Sequence, residues 1–112
     1  MTPEGAVVAA ILEYLQLRGI FAWRMNTGAT VIKVPNGKDR FLRFGKKGIS
    51  DIIGILDDGR WLAIECKTEK GKASLDQLYF LAEIAKRGGV AFVARSIEDV
   101  VRELDKAKRR IA

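Results

Sequence analysis

The chain has 112 residues, with 20 Lys and Arg against 14 Asp and Glu, a single Cys, no His, and 48% hydrophobic residues. Without an imidazole it cannot build a Ser-His-Asp or Cys-His nucleophile or a His-metal nuclease site, and one Cys excludes disulfide frameworks and Cys-rich zinc modules. The net charge of +6 favours a polyanionic partner such as nucleic acid, because Lys and Arg gain free energy by displacing condensed counterions from phosphates.

Thr2 is a candidate N-cap, with Pro3 at the first helical position and Glu4 in the first turn, where its charge suits the helix dipole. A helix is predicted from there to about Arg18, since Val7, Val8, Ile11, Leu12 and Leu15 recur at helical spacing and Gly19 can end it. Ile20 to Met25 reads as a strand. Residues 26–48 are rich in Gly and basic side chains, with extended pieces at Thr30 to Val34 and Arg40 to Phe44. Asp51 to Leu56 and Arg60 to Lys67 then form a hairpin around Asp57-Asp58-Gly59, a three-residue loop with Gly suited to the left-handed position. That loop pairs Leu56 with Arg60, and counting back sets Asp51 opposite Glu65, with Cβ atoms about 5 Å apart. Trp61, Ala63, Glu65 and Lys67 share one face; Leu62, Ile64 and Cys66 point to the other.

Ser74 starts a second helix to about Arg87, with Gln77 placed to complete a capping box and Gly88-Gly89 to end it. Val90 to Ala94 is an apolar run expected of a strand buried on both faces. Ser96 caps a last helix to about Arg110 that turns Ile97, Val100, Val101 and Leu104 inward. The prediction is an α/β domain spanning 1–112, a mixed sheet flanked by helices in the order α-β-β-β-α-β-α. No apolar run approaches the ~20 residues of a membrane span, and Met1-Thr2-Pro3-Glu4 lacks the basic start of a secretory signal. The expected location is therefore cytoplasmic, in a bacterial or virus-host cytosol, with Cys66 reduced.

The chemistry concentrates in Gly48-Ile49-Ser50-Asp51 and Glu65-Cys66-Lys67. Two carboxylates facing each other across a strand pair repel, and their neighbours on that face (Ile53, Ile55, Trp61, Ala63) are apolar, so the acids interrupt a layer expected to be buried. A surface salt bridge to Lys67 would need only one acid and would contribute about 1 kcal/mol at most. A hard cation accounts for both acids: Mg²⁺ takes oxygen ligands and commonly binds one or two carboxylates plus a substrate phosphate, and Mn²⁺ is expected to substitute. The backbone carbonyl of Cys66 is a third candidate ligand. By themselves, Gln77 is sufficiently explained as a cap, Glu4 as a first-turn charge, and Tyr79 and Trp61 as core or groove-lining residues.

At these residues the chain resembles the PD-(D/E)xK nuclease superfamily, and within it the small stand-alone virus-type replication-repair nuclease (VRR-NUC) domains. The resemblance covers nearly the whole chain: an early helix with Glu, a strand after Gly-x-x-Asp, a hairpin to Glu-x-Lys, and a helix carrying Gln. It implies a restriction-endonuclease-like core with Asp51 and Glu65 as metal ligands and Lys67 as the catalytic lysine. It further implies Glu4 as a supplementary acid, at a second metal or through water, and Gln77 facing the active site. Ser50 stands where many relatives have Pro, a position that shapes the backbone and supplies no ligand. Glu13 is a rival to Glu4 that helix rotation decides, with Glu4 favoured because the first turn can reach the sheet rim. The activity implied is metal-dependent endonucleolytic cleavage of DNA, selective for Holliday junctions or other branched structures and carried out by a homodimer.

Arg24, Lys38, Arg40, Arg43, Lys46 and Lys47 precede the acids, and Lys70 and Lys72 follow, where phosphates must pass to reach a metal there. The alternatives are a non-catalytic DNA-binding or assembly module on the same fold and an RNA-binding α/β domain; the latter lacks the stacked aromatics such modules use.

Overall fold

The computed structural model describes the backbone of residues 1–25, 28–35, 37–44 and 46–110, and the side chains of these residues apart from 28–32 and 40–44. Local chemistry places the helices as the sequence implies. The Thr2 hydroxyl accepts the Gly5 N–H at 3.0 Å and Pro3 occupies the first turn, which starts α1 (Pro3–Leu17). Ser74 and Gln77 bond reciprocally in a full capping box, at 3.2 Å to the Gln77 N–H and 2.8 Å from the Ser74 N–H, and open α2 (Leu75–Lys86). The Ser96 hydroxyl caps α3 (Ile97–Arg109) through the Asp99 N–H. Such caps satisfy amide donors that have no partner within the helix.

The strands are β1 (Phe21–Arg24), β2 (Gly28–Ile32), β3 (Arg40–Phe44), β4 (Ile52–Ile55), β5 (Trp61–Cys66) and β6 (Val90–Ala94). Four of them form a mixed sheet in the order β1-β4-β5-β6, antiparallel between β1, β4 and β5 and parallel between β5 and β6. The parallel pair requires a crossover, and α2 supplies it. With the helices, this sheet has the predicted order α-β-β-β-α-β-α. Side-chain alternation divides the core in two. Leu62, Ile64 and Cys66 meet Val8, Ile11 and Leu15 of α1 and Val100 and Ala107 of α3 on one face. Ile53 and Ala63 meet Phe80 and Leu81 of α2 on the other.

Val101, expected to turn inward with Val100, is 38% exposed, because α3 faces the core with Val100 and Ala107. Trp61 and Tyr79, read as core or groove-lining, are 52% and 65% exposed. Neither is core: Trp61, the first residue of β5 and far from the acids, lines a groove with Gly59, Ile84 and Gly89, while Tyr79 is on the solvent side of α2.

Within the Gly-rich segment β2 and β3 form an antiparallel hairpin that, among the described residues, pairs with no strand of the main sheet. It leaves the body after β1 and returns before β4, at the sheet end that carries Asp51. The molecule is accordingly elongated, 61 × 30 × 26 Å. Its radius of gyration is 16.0 Å, against about 13 Å for a compact chain of this length.

Two glycines with positive φ differ in what surrounds them. Gly59, at φ +90° in the β4–β5 turn, has open space where a Cβ would sit. Gly48, at φ +77°, lies against the backbone of α2, and a Cβ there would meet the Asp76 carbonyl oxygen at 2.4 Å. Gly59→Ala should therefore cost only left-handed strain, about 1 kcal/mol, whereas Gly48→Ala must also move backbone and should cost roughly 2 kcal/mol or more. Urea denaturation of the two variants checks the order.

Candidate metal centre

The observed β4–β5 register is Ile52 with Ile64, Ile53 with Ala63, Gly54 with Leu62 and Ile55 with Trp61, which continues to Asp51 opposite Glu65. β4 ends at Ile52, so the edge of β5 beyond it has no strand partner there. Asp51 fills this place with its side chain: Oδ2 accepts the Cys66 N–H at 2.8 Å. In a strand the N–H and C=O of one residue point to the same edge, so the Cys66 carbonyl faces the same side as Asp51. The capped start of α1 brings Glu4 to this end of the sheet, and carboxylate oxygens of Glu4, Asp51 and Glu65 lie within 4.8 Å of one another. Glu13, the rival on the same helix, is exposed and outside the cluster.

Lys67 follows β5. Its N–H donates to the Ala94 carbonyl at 3.0 Å, which anchors its backbone to β6. Its Nζ lies 3.3 Å from Glu65 Oε2 and 3.8 Å from Glu4 Oε1. Lys67 is buried, and Glu65 is 1% exposed. One ammonium against three carboxylates leaves an excess of negative charge around Glu65, which is buried, while Asp51 and Glu4 are partly exposed. Burial, then the neighbouring Asp51 charge, raises the Glu65 carboxyl to about 7, with Lys67 pulling the other way. The Cys66 thiol is pushed up to about 12 by burial and by the acids, which leaves it a neutral apolar side chain and no nucleophile.

Both carboxylate oxygens of Glu65 are buried; Oε2 has only the Lys67 ammonium at 3.3 Å, and Oε1 has no donor among the described residues. Buried carboxylates ordinarily have partners, because leaving them unsatisfied forfeits their hydration. The residues fit a divalent cation: its charge offsets the negative excess and its ligands would be the carboxylate oxygens. Two oxygens bound to one Mg²⁺ sit about 3–4 Å apart, since each bond is about 2.1 Å, so the cluster is close to the required spacing.

The basic residues expected to meet phosphates are mostly exposed. Arg24 pairs in register with Ile52, the residue after Asp51, and is exposed. Lys38, Lys46, Lys47, Lys70 and Lys72 are exposed, and Lys47 is held by Asp76 at 3.2 Å. The side chains of Arg40 and Arg43 lie outside the described ones; their backbone is in β3 of the protruding hairpin. Gln77 uses its side-chain oxygen on the Ser74 N–H, so its cap role is met. Sequence reasoning missed Arg95, which reaches the carbonyls of Thr68 and Gly71 over 27 and 24 residues, a contact that no spacing announces. It also gave no sign that the Ser50 hydroxyl beside Asp51 is buried without a partner.

A mixed sheet with helices on both faces and an acid-acid-lysine cluster at the hairpin end defines a restriction-endonuclease-like nuclease fold. The VRR-NUC domain family model matches residues 2–98, and the chain belongs to that family of nuclease domains. A solved structure described as a VRR_NUC domain shares the fold, with a TM-score of 0.66 over 94% of this chain and 97% of that one at 23% identity. No curated protein matches the chain at a significant level.

The raised Glu65 carboxyl sets a sign. The folded metal-free protein binds this proton more tightly than the unfolded chain, so the contribution to stability is most favourable below the ordinary carboxyl range and falls as pH rises from about 4.5 through about 7. Metal-free protein should lose up to about 3 kcal/mol across that window, which Glu65→Gln should abolish. Millimolar Mg²⁺ should raise the melting temperature more at pH 8 than at pH 5. Thermal denaturation with and without metal measures both effects.

Proposed function

We infer that this protein is a metal-dependent endonuclease that hydrolyses DNA phosphodiester bonds and selects branched DNA, a four-way junction above all. The observation that supports this most directly is the buried Glu65 carboxylate, whose only cationic neighbour is Lys67, set beside Asp51 and Glu4. Asp51 and Glu65 would hold the metal together with the Cys66 carbonyl, with Glu4 joining directly, at a second metal, or through water. Mg²⁺ would be the ion, with Mn²⁺ able to substitute; when bound it would supply positive charge to the scissile phosphate and lower the pKa of water. The Lys67 ammonium, held by Glu65 and Glu4, faces the reacting phosphate, orients the attacking water and offsets charge that develops on the phosphoryl oxygens. Water oxygen bonds to phosphorus as the bond to the departing sugar oxygen breaks; the water gives up a proton to solvent and the sugar oxygen takes one from solvent. The cap uses only the oxygen of Gln77, and its amide nitrogen is left to donate to the substrate.

Arg24, Lys46, Lys47, Lys70 and Lys72 lie on the segments that lead into and out of the acid cluster, and Lys38, Arg40 and Arg43 belong to the hairpin that leaves the body at the same end. They contact phosphates and carry no base code, so recognition follows DNA shape. One chain contributes one acid cluster, and paired cuts in a four-way junction need two copies about a twofold axis; a homodimer follows.

Lys67→Ala and Asp51→Asn should abolish cleavage in Mg²⁺ or Mn²⁺ while salt-sensitive DNA binding persists. Either variant cutting like the unsubstituted protein removes the mechanism. Four-way junction, flap, linear duplex and single strand, tested side by side, decide selectivity, and equal cutting of linear duplex removes it. A monomeric mass at micromolar concentration argues against paired incision.

A further inference from the structure

Arg60, Arg87 and Arg102 each pair with a nearby acid, Asp58, Glu83 and Asp99 respectively. Arg95 does otherwise. It is the first residue after β6, and its backbone N–H donates to Asp99 Oδ2 at 2.8 Å. Asp99 is itself tied to the cap of α3 through Ser96, and its other oxygen takes Arg102. The Arg95 guanidinium forms no ion pair among the described residues. Instead its Nη1 donates to two neutral acceptors, the carbonyls of Thr68 at 2.6 Å and Gly71 at 2.5 Å.

Those two carbonyls bracket one turn, which the Gly71 N–H to Thr68 carbonyl bond closes at 3.1 Å. The turn begins directly after Lys67 and leads to the cap of α2. Lys70 lies inside it and Lys72 just past it; both are exposed and neither forms an ion pair among the described residues. Charge-assisted bonds from a cation to carbonyls are stronger than neutral ones, and one end of this strut is anchored in β6 and α3. A flexible loop carrying two lysines would pay ordering entropy when it met DNA; a loop held beforehand would not.

We propose that Arg95 is a positioning residue for DNA engagement: it clamps the turn at residues 68–71 so that Lys70 and Lys72 present their ammonium groups to phosphates beside the acid cluster. The proposal rests on the nuclease reading above, and it assigns Arg95 no contact with the reacting atoms.

A mutant cycle on the full chain tests it. The probe is four-way-junction DNA bound in EDTA, with amide hydrogen exchange of residues 68–72 measured on the DNA-free protein. Arg95→Ala should speed exchange in that turn and weaken DNA binding about tenfold, as much as Lys70→Ala with Lys72→Ala. The triple variant should be no weaker than the lysine double variant by more than about twofold, because Arg95 acts through those lysines. In cleavage the loss should fall on KM far more than on kcat, and Arg95→Lys should recover part of it. Losses that add in the triple variant overturn the proposal, since Arg95 would then touch DNA itself, and so does unchanged exchange in Arg95→Ala. If the unsubstituted protein binds no DNA, the nuclease reading falls together with the role given to the lysines, while the exchange data still decide whether the clamp exists.

Discussion

The pairing of β4 with β5 around the Asp57-Asp58-Gly59 turn governs the rest of the molecule. Side chains alternate along a strand, so a slip of one residue in β5 would send Glu65 to the face of α1 and α3 and bring Cys66 opposite Asp51. The turn holds the register at one end, with the Leu56 N–H on the Arg60 carbonyl at 2.8 Å. At the other end Asp51 holds it with a side-chain bond to the Cys66 N–H in place of a further strand residue. The same bond leaves Asp51 beside Glu65. Structural closure of the sheet end and assembly of the acid cluster are one event.

That arrangement is costly in the metal-free chain. Burial of Glu65 next to Asp51 lifts its carboxyl to about 7, and Lys67 offsets only part of the repulsion. The surrounding fold tolerates this because the acids sit where two apolar layers end. Ile52, Leu62 and Ile64 pack completely on one side, and Ile53 and Ala63 on the other, so the strands are held by contacts the acids do not share. A site of this kind needs no histidine: a cation would activate water, and carboxylates with one lysine suffice to hold and assist it.

The net charge of +6 understates the positive field at this end. Glu4, Asp51 and Glu65 are drawn together where a cation would neutralise them, whereas Lys46, Lys70 and Lys72, on the flanking segments, stay exposed. The β2–β3 hairpin extends the same end of the molecule with more basic sequence.

Short-range rules were sufficient for much of this. Caps at Thr2, Ser74 and Ser96, the turn at Gly59, and period-two and helical patterning act over a few residues, so they place the helices, the hairpin register and the opposition of Asp51 to Glu65 without reference to the rest of the chain. What they leave open depends on how elements lie against one another. Only the packing of α1 on the sheet selects Glu4 over Glu13, because helix rotation is set by which face finds Ile52, Leu62 and Ile64. Only the packing of α2 on the sheet, which turns Phe80 and Leu81 inward, decides that Tyr79 stays exposed. The Arg95 clamp likewise exists because β6 runs parallel to β5 and ends beside the turn that follows Lys67, a proximity between residues more than twenty apart that the order of amino acids alone does not encode locally.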